Sequence, residues 1–469
     1  MNNTAEDILN TYNLQKQAYV AYPMPSVKYR IDNLKNLKNS IISYQEKLVA
    51  AMSYDFGHRS SAESVIADIL PTINSINYHI KNIPSWVKPE KRKTGLLLAP
   101  AKINVHYQPL GVIGIIVPWN FPVQMSMAPL IAALSSGNRV MIKMSEYTPS
   151  TNAVITEMIN GLFQNDEVAI IQGGVDIAEA FSKTAFDHLI FTGSSEIGKK
   201  VMKAASANLT PVTLELGGKS PVIICDDIDI RTAVERLILG KCINAGQICV
   251  APDYVFCPKG KTEQFITEFK NQFKRMYNGI NNNDDYSNII NDTQFQRLIE
   301  LIDDAKEKGG NVVSVSGENP DNKNRRIAPH LVTNVNDDMQ VMQNEIFGPV
   351  LPIIPYDDLQ DTLNYINRRP RPLALYVMTF NKNTQNMIIE NTHSGGVCIN
   401  DTAFHVAADD APFGGIGSSG MGQYHGKEGF LTFSKAKTVM TRGRFNSGKV
   451  MFPPYGQKMQ NFILNLFIK

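Results

Sequence analysis

Apolar positions recur along this chain in two rhythms. Over residues 31–84 they fall at helical spacing, in long amphipathic stretches such as Ile31–Met52, with a break at Gly57 and the polar residues around it. From about residue 100 the text changes to short β-rich runs, Val112–Val117, Val140–Lys143, Val168–Gln172, His188–Thr192 and Val222–Cys225, separated by helical segments. That alternation predicts an α/β fold with a doubly wound, Rossmann-like parallel sheet. A second α/β stretch, residues 230–425, carries expected strands at Tyr254–Cys257, Val350–Ile354, Leu373–Thr379 and Gly396–Ile399, and solvated loops at Asn281–Asp285 and Gly317–Arg326. The sequence shows no internal repeat and no low-complexity linker.

Length sharpens this picture. At 469 residues the chain exceeds what one hydrophobic core serves, so at least two domains are expected. Charge removes other classes: 46 basic against 44 acidic residues give a net +2, too weak a field to suggest a nucleic-acid partner. The run Arg368-Arg-Pro-Arg371 reads as a loop entering the strand that follows. Cysteines at 225, 242, 249, 257 and 398, with no CxxC pair, argue against a disulfide scaffold and against a metal site. They fit a reducing compartment. With no signal-like start and no apolar run of the ~18 residues a span needs, the expectation is a cytoplasmic protein with no integral membrane segment.

Two residues then stand out for their chemistry. Glu215 lies in Val212-Thr-Leu-Glu-Leu-Gly-Gly-Lys-Ser-Pro221 and Cys249 in Asn244-Ala-Gly-Gln-Ile-Cys-Val-Ala-Pro252. A thiolate is the strongest side-chain nucleophile at neutral pH, and a carboxylate can take the proton of the water that cleaves a covalent intermediate. Neighbouring glycines allow close backbone approach and dihedrals closed to other residues. A lone cysteine is more often a small buried hydrophobe, and Cys242 and Cys257, without the glycine setting, read that way.

The company of these two residues decides between the readings. In order along the chain stand Ile116-Val-Pro-Trp-Asn-Phe-Pro122, Ile142-Lys-Met-Ser-Glu146, Phe191-Thr-Gly-Ser-Ser-Glu-Ile-Gly198, Leu214-Glu-Leu-Gly-Gly-Lys219, Gly246-Gln-Ile-Cys249, Asn344-Glu-Ile-Phe-Gly-Pro349 and Pro412-Phe-Gly-Gly-Ile-Gly-Ser-Ser-Gly420. The chain resembles the NAD(P)-dependent aldehyde dehydrogenases over nearly its whole length. The stretch Met421–Ser434, with Arg444-Phe-Asn446 and Pro453-Pro-Tyr-Gly456, is most similar to the class 3-like branch and its coniferyl aldehyde dehydrogenases.

That resemblance implies an NAD-binding domain from 1–90 and 110–218, a catalytic domain from 219–425, and a bridging or oligomerisation element from 91–109 and 426–469. It implies Cys249 as nucleophile, Glu215 as base, and Asn120 with the Cys249 N–H as oxyanion donors. It places Lys143 and Glu146 at the adenosine ribose, where a carboxylate favours NAD and leaves NADP secondary. Gly193, Ser194 and Gly198 form a strand, glycine turn and helix start facing phosphate. Glu345 and Phe347 clamp the nicotinamide end, with Trp119 beside them. Met144 replaces a proline common in the second motif, and Pro129 stands where many members carry a lysine that positions the glutamate. The implied reaction is oxidation of an aldehyde, aromatic such as coniferyl or else medium- to long-chain aliphatic, to the acid. A CoA-acylating enzyme would lack Glu215; a non-catalytic relative would lack the trio of Cys249, Glu215 and Asn120; esterase action could accompany the main one. Phe121, Ile248, Val250 and Phe404 suggest an apolar mouth. A homodimer is expected, and the short apolar run Phe462–Ile468 is read as packing on its own body or a partner, with lipid contact as the alternative.

Overall fold

The computed structural model describes residues 3–468; Met1, Asn2 and Lys469, at the outer ends of the first and last expected segments, lie outside the described residues. The amphipathic start forms three main helices, Ala5–Ala21, Val27–Phe56 and Leu70–Trp86. The second buries Leu34, Leu37, Ile41, Leu48, Met52 and Phe56, the helical stripe its spacing predicted. Removing each such side chain from water contributes about 1.5–3 kcal/mol. Ser26 caps its start by accepting from the Tyr29 N–H, and Gly57, at φ 75°, ends it in the left-handed region. The first helix was not anticipated, because only Ile8 and Gln15 of it are buried.

The first sheet has six strands in the order Gly420–Met421, Val212–Leu216, His188–Gly193, Val112–Ile116, Arg139–Lys143 and Val168–Ile171, all parallel except the first. The second has seven, in the order Asn311–Ser314, His330–Thr333, Val350–Tyr356, Tyr254–Pro258, Pro221–Ile224, Ala374–Met378 and Gly396–Ile399, with only the first antiparallel to its neighbour. Each has its own apolar core. A third sheet, Glu90–Arg92, Lys102–Pro109 and Ser434–Thr441, is antiparallel and largely solvent-facing.

One expectation needs correcting. The run Val222–Cys225, read as part of the first sheet, is observed as Pro221–Ile224 at the heart of the second, and Val212–Leu216 takes its place in the first. Gly217 and Gly218 turn the chain from one sheet to the other; a Cβ on Gly217 would collide with the Glu345 carboxylate. The chain is back on the first sheet by Gly420, opposite Glu215, before residue 425. The loops at 281–285 and 317–326 are irregular as expected, and Arg368 closes the helix Leu359–Arg368 before the loop into Ala374–Met378. The C-terminal helix Lys458–Ile468 buries Gln460 against the segment before it but leaves apolar residues bare: Phe462 is 65% and Leu466 64% exposed. No helix among the described residues is long and apolar enough to cross a membrane.

Candidate active site

Parallel strands end together at one edge of the first sheet, and that edge collects the singled-out residues. Lys143 is the last residue of Arg139–Lys143, Gly193 the last of His188–Gly193, and Glu215 the penultimate of Val212–Leu216. The carboxyl ends of such strands are where open α/β sheets bind ligands. Lys143 Nζ, buried, donates to the Met144 carbonyl at 2.8 Å and stands 3.5 Å from Glu146, which is 38% exposed. Ser194 caps the helix Ser195–Ser206 by accepting from the Ile197 N–H, and Gly198 on that helix lies so close to Leu216 that a Cβ would clash.

The turn before Cys249 is built by strain. After the helix Ile230–Cys242, Asn244 and Ala245 adopt φ 49° and 50°, and Gly246 follows at 74°. Left-handed non-glycine residues cost energy and persist where the surroundings hold them. Here Gln247 is fully buried; its amide donates to the Asn244 and Asn288 carbonyls while its oxygen accepts from the Ile290 N–H. Cys249 emerges half-buried beyond this turn as a free thiol. Asn120, 4% exposed, meets the turn from the first domain: its Nδ2 donates to the Gln247 carbonyl at 3.1 Å, and its own carbonyl accepts from Asn244 Nδ2 at 3.1 Å.

Electrostatics at the thiol run against ionisation. Burial first, then the Glu345 and Glu215 carboxylates, pushes Cys249 up to about 12, against the opposing pull of its own and the Val250 N–H. Glu215 is 4% exposed, neither carboxylate oxygen has a hydrogen-bond partner, and burial raises its pKa well above the ordinary range. A buried carboxyl left unpaired is costly, which makes it a candidate functional group. Glu345 is raised to about 8 by burial and by Asp253, while the Gly218 N–H opposes. Its loop is pinned: Lys219 pairs with Asp253 and donates to the Val341 and Asn344 carbonyls, and Asp253 accepts from the Ile346 N–H at 2.9 Å. Phe347, at φ 45°, meets Trp119 edge-on at 5.3 Å.

The comparisons with known proteins agree with this geometry. The sequence profile of the Aldehyde dehydrogenase family matches residues 1–439. The chain belongs to the aldehyde dehydrogenase family. A "Probable coniferyl aldehyde dehydrogenase" of Pseudomonas aeruginosa is 50% identical, over 97% of this chain and 95% of its own. The substrate-bound state of Staphylococcus aureus AldH superposes with a TM-score of 0.93 at 37% identity, covering 100% of both chains. Betaine aldehyde dehydrogenase from Staphylococcus aureus, in complex with NAD+, matches with a TM-score of 0.86 at 25% identity, covering 97% of this chain and 90% of that one. As an aldehyde dehydrogenase, this chain is an oxidoreductase.

The four residues read as an apolar mouth or as ordinary packing fall in two settings. Phe121, Ile248 and Val250 are packed into the second core and Phe404 is 56% exposed. A small cleft with room for about one water lies among Pro71, Ser75, Gln124, Ala128, Tyr424 and His425. Tyr424 was missed: it is buried, and the Glu215 and Cys249 charges both push its pKa up after burial does. The only signal was its place in the Gly-Gln-Tyr-His-Gly run, which offers no chemistry by itself.

Proposed function

We propose that this aldehyde dehydrogenase oxidises coniferyl aldehyde or a similar extended aromatic aldehyde to its acid, through a covalent intermediate on Cys249. The observation that carries the reading is the unpaired, buried Glu215 carboxyl, close enough to the thiol for its charge to act on it. Because the thiol sits at about 12, little thiolate pre-exists, and proton removal accompanies attack on the aldehyde. That proton passes to solvent, and Glu215, whose proton affinity burial raises, is kept as the base for the later water step. The second Nδ2 hydrogen of Asn120, with the Cys249 N–H, stabilises the oxyanion of the thiohemiacetal. Glu215 then takes a proton from water, and the thioester is cleaved to the acid. That step separates this reading from a CoA-acylating one.

The cofactor of this reading is NAD, as in the complex of the betaine aldehyde dehydrogenase. The residues fit it: Lys143 and Glu146 suit the adenosine ribose, the Gly193–Gly198 turn the phosphates, and Glu345 with Phe347 and Trp119 the nicotinamide ribose. Glu345 lies against Gly217, where no Cβ is tolerated, and takes a hydrogen bond from the Gly218 N–H, so its remaining lone pairs can accept ribose hydroxyls. Bound NAD supplies the hydride acceptor that turns the thiohemiacetal into a thioester. In this reading residues 1–90 and 110–218, with the first sheet, are the NAD-binding domain, residues 219–425 the catalytic domain, and residues 91–109 and 426–469, with most of the third sheet, the bridging element.

Support for an aromatic substrate comes from flat rings near the cleft. His405 lies 5.9 Å from Tyr376 and from Phe413, and Phe413 stacks on His425 at 5.0 Å and 28°. The name of the 50%-identical relative points the same way. The bare apolar face of Lys458–Ile468 supports a homodimer, which light scattering would test. Five unpaired cysteines support a cytoplasmic setting. NADH formation from acetaldehyde, decanal, hexadecanal, cinnamyl and coniferyl aldehydes tests the substrate: coniferyl aldehyde should give the highest kcat/KM, and a preference for hexadecanal would replace it with a fatty aldehyde.

A further inference from the structure

Three charged residues of the N-terminal helical region have no part in the chemistry above, yet each ends at the active site. Arg59 is wholly buried, with its guanidinium over the Phe56 and Phe121 rings at 5.1 and 4.8 Å. Its Nη1 donates to the Asn120 carbonyl at 3.0 Å and lies 3.3 Å from Asp68 Oδ2. Asp68, also fully buried, accepts from the Gln124 N–H at 2.5 Å and from the Val123 N–H, the first turn of the helix Pro122–Ser136. Glu63 stands 3.9 Å from Arg59 Nε, accepts from Ser287 Oγ at 2.9 Å, and accepts from the backbone N–H of Asn244, the first left-handed residue of the nucleophile turn.

We propose that Arg59, Glu63 and Asp68 form a buried clamp that positions the oxyanion donor Asn120 against the nucleophile turn of Cys249. The inference rests on the cysteine mechanism proposed above. Asn120 is held from three sides: its carbonyl by Arg59 and Asn244, its side-chain amide by the Gln247 carbonyl, and the helix that follows it by Asp68. The backbone supports the reading. The helical run from Ser61 to Trp86 is interrupted by a π turn at Val65–Ile69, which contains Asp68. Such turns widen the helix and recur at functional sites. Burying an arginine and two acids is costly, and the price is not recovered as hydrogen bonds within the trio: Arg59 Nε and Nη2 and Asp68 Oδ2 have no hydrogen-bond partner. An apolar cluster would pack this corner more simply, but could not hold the Asn120 carbonyl and the Asn244 N–H together.

Arg59 and Asp68 are therefore positioning residues for the step in which an oxyanion develops, and Glu63 for the turn that presents the thiol. The test compares two reactions of Cys249. Aldehyde oxidation passes through an oxyanion; alkylation by iodoacetamide does not. In Arg59→Met the first-turnover burst of NADH should slow by about 10- to 100-fold, with alkylation and NAD affinity within about threefold of wild type. Arg59→Lys, which keeps one donor to the Asn120 carbonyl, should restore most of the burst. Asp68→Asn should slow the burst with alkylation preserved, and gives the answer if Arg59→Met does not fold. Glu63→Gln should slow both reactions, because it loosens the turn itself. A folded Arg59→Met or Asp68→Asn with a wild-type burst overturns the clamp, as does a parallel loss of burst, alkylation and NAD affinity. Aldehyde oxidation that survives in Cys249→Ala overturns the cysteine mechanism and the clamp with it.

Discussion

Glu345→Gln is expected to change how the reactivity of Cys249 depends on pH, and the structure sets the size of the effect. Below the thiol's pKa of about 12, alkylation by iodoacetamide should rise about tenfold per pH unit, because the thiolate fraction does. In the wild type a second event intervenes. With Glu345 at about 8, roughly a tenth of it is ionised at pH 7 and roughly nine-tenths at pH 9. Its carboxylate is the largest charge opposing the thiolate. If that charge raises the thiol by about one unit, worth about 1.4 kcal/mol, alkylation between pH 7 and 9 gains only about tenfold to twentyfold instead of a hundredfold. The sign follows from the raised carboxyl: charge appears as pH rises, so the damping appears above pH 8. Glu345→Gln carries no such charge and should follow the full slope. The assay is the alkylation rate of the Cys249 peptide by mass spectrometry, without NAD, from pH 6.5 to 9.5. Superimposable slopes for variant and wild type would refute the electrostatic coupling of Glu345 to the thiol.

Glu146→Ala should raise the ratio of NADP to NAD efficiency, since it removes a ribose acceptor and a repulsion against a 2′-phosphate; a wild type that already uses both equally would remove the role of Glu146 as a filter. Gly217→Ala should raise the KM for NAD more than that for aldehyde, because its Cβ displaces the Glu345 carboxylate, and unchanged NAD kinetics would contradict that placement. Leu237→Ala, at a fully buried position of the second core, should cost about 2–5 kcal/mol in denaturant unfolding, and a loss under about 1 kcal/mol would mean that the site collapses without a cavity.

The parallel strands were legible because strands buried on both faces read as unbroken apolar runs, as in Val112–Ile116 and Ala374–Met378. The same property hid which sheet Pro221–Ile224 joins, since an apolar run carries no record of its partners and the turn at Gly217-Gly218 lies just before it. Strands Lys102–Pro109 and Ser434–Thr441 went unread as strands because both are half-buried or exposed along their length and pair across more than 300 residues of intervening chain. At the site, Cys249 and Glu215 were visible through their glycine surroundings, and Asn120, which alone reads as a turn residue, through the family resemblance. Arg59, Glu63 and Asp68 were not, because charges on an amphipathic helix read as a solvated face. Only the fold buries them against Asn120 and Asn244.

The covalent account stands or falls on one measurement: intact mass and NADH release when Glu215→Gln is mixed with coniferyl aldehyde and NAD. With Cys249 intact and the base for water removed, about one NADH per site should appear, followed by slow turnover, and the protein should gain the mass of one acyl group on the Cys249 peptide. Rapid steady-state turnover with no acyl adduct would contradict the assignment of Glu215 as the base that releases the acid from Cys249.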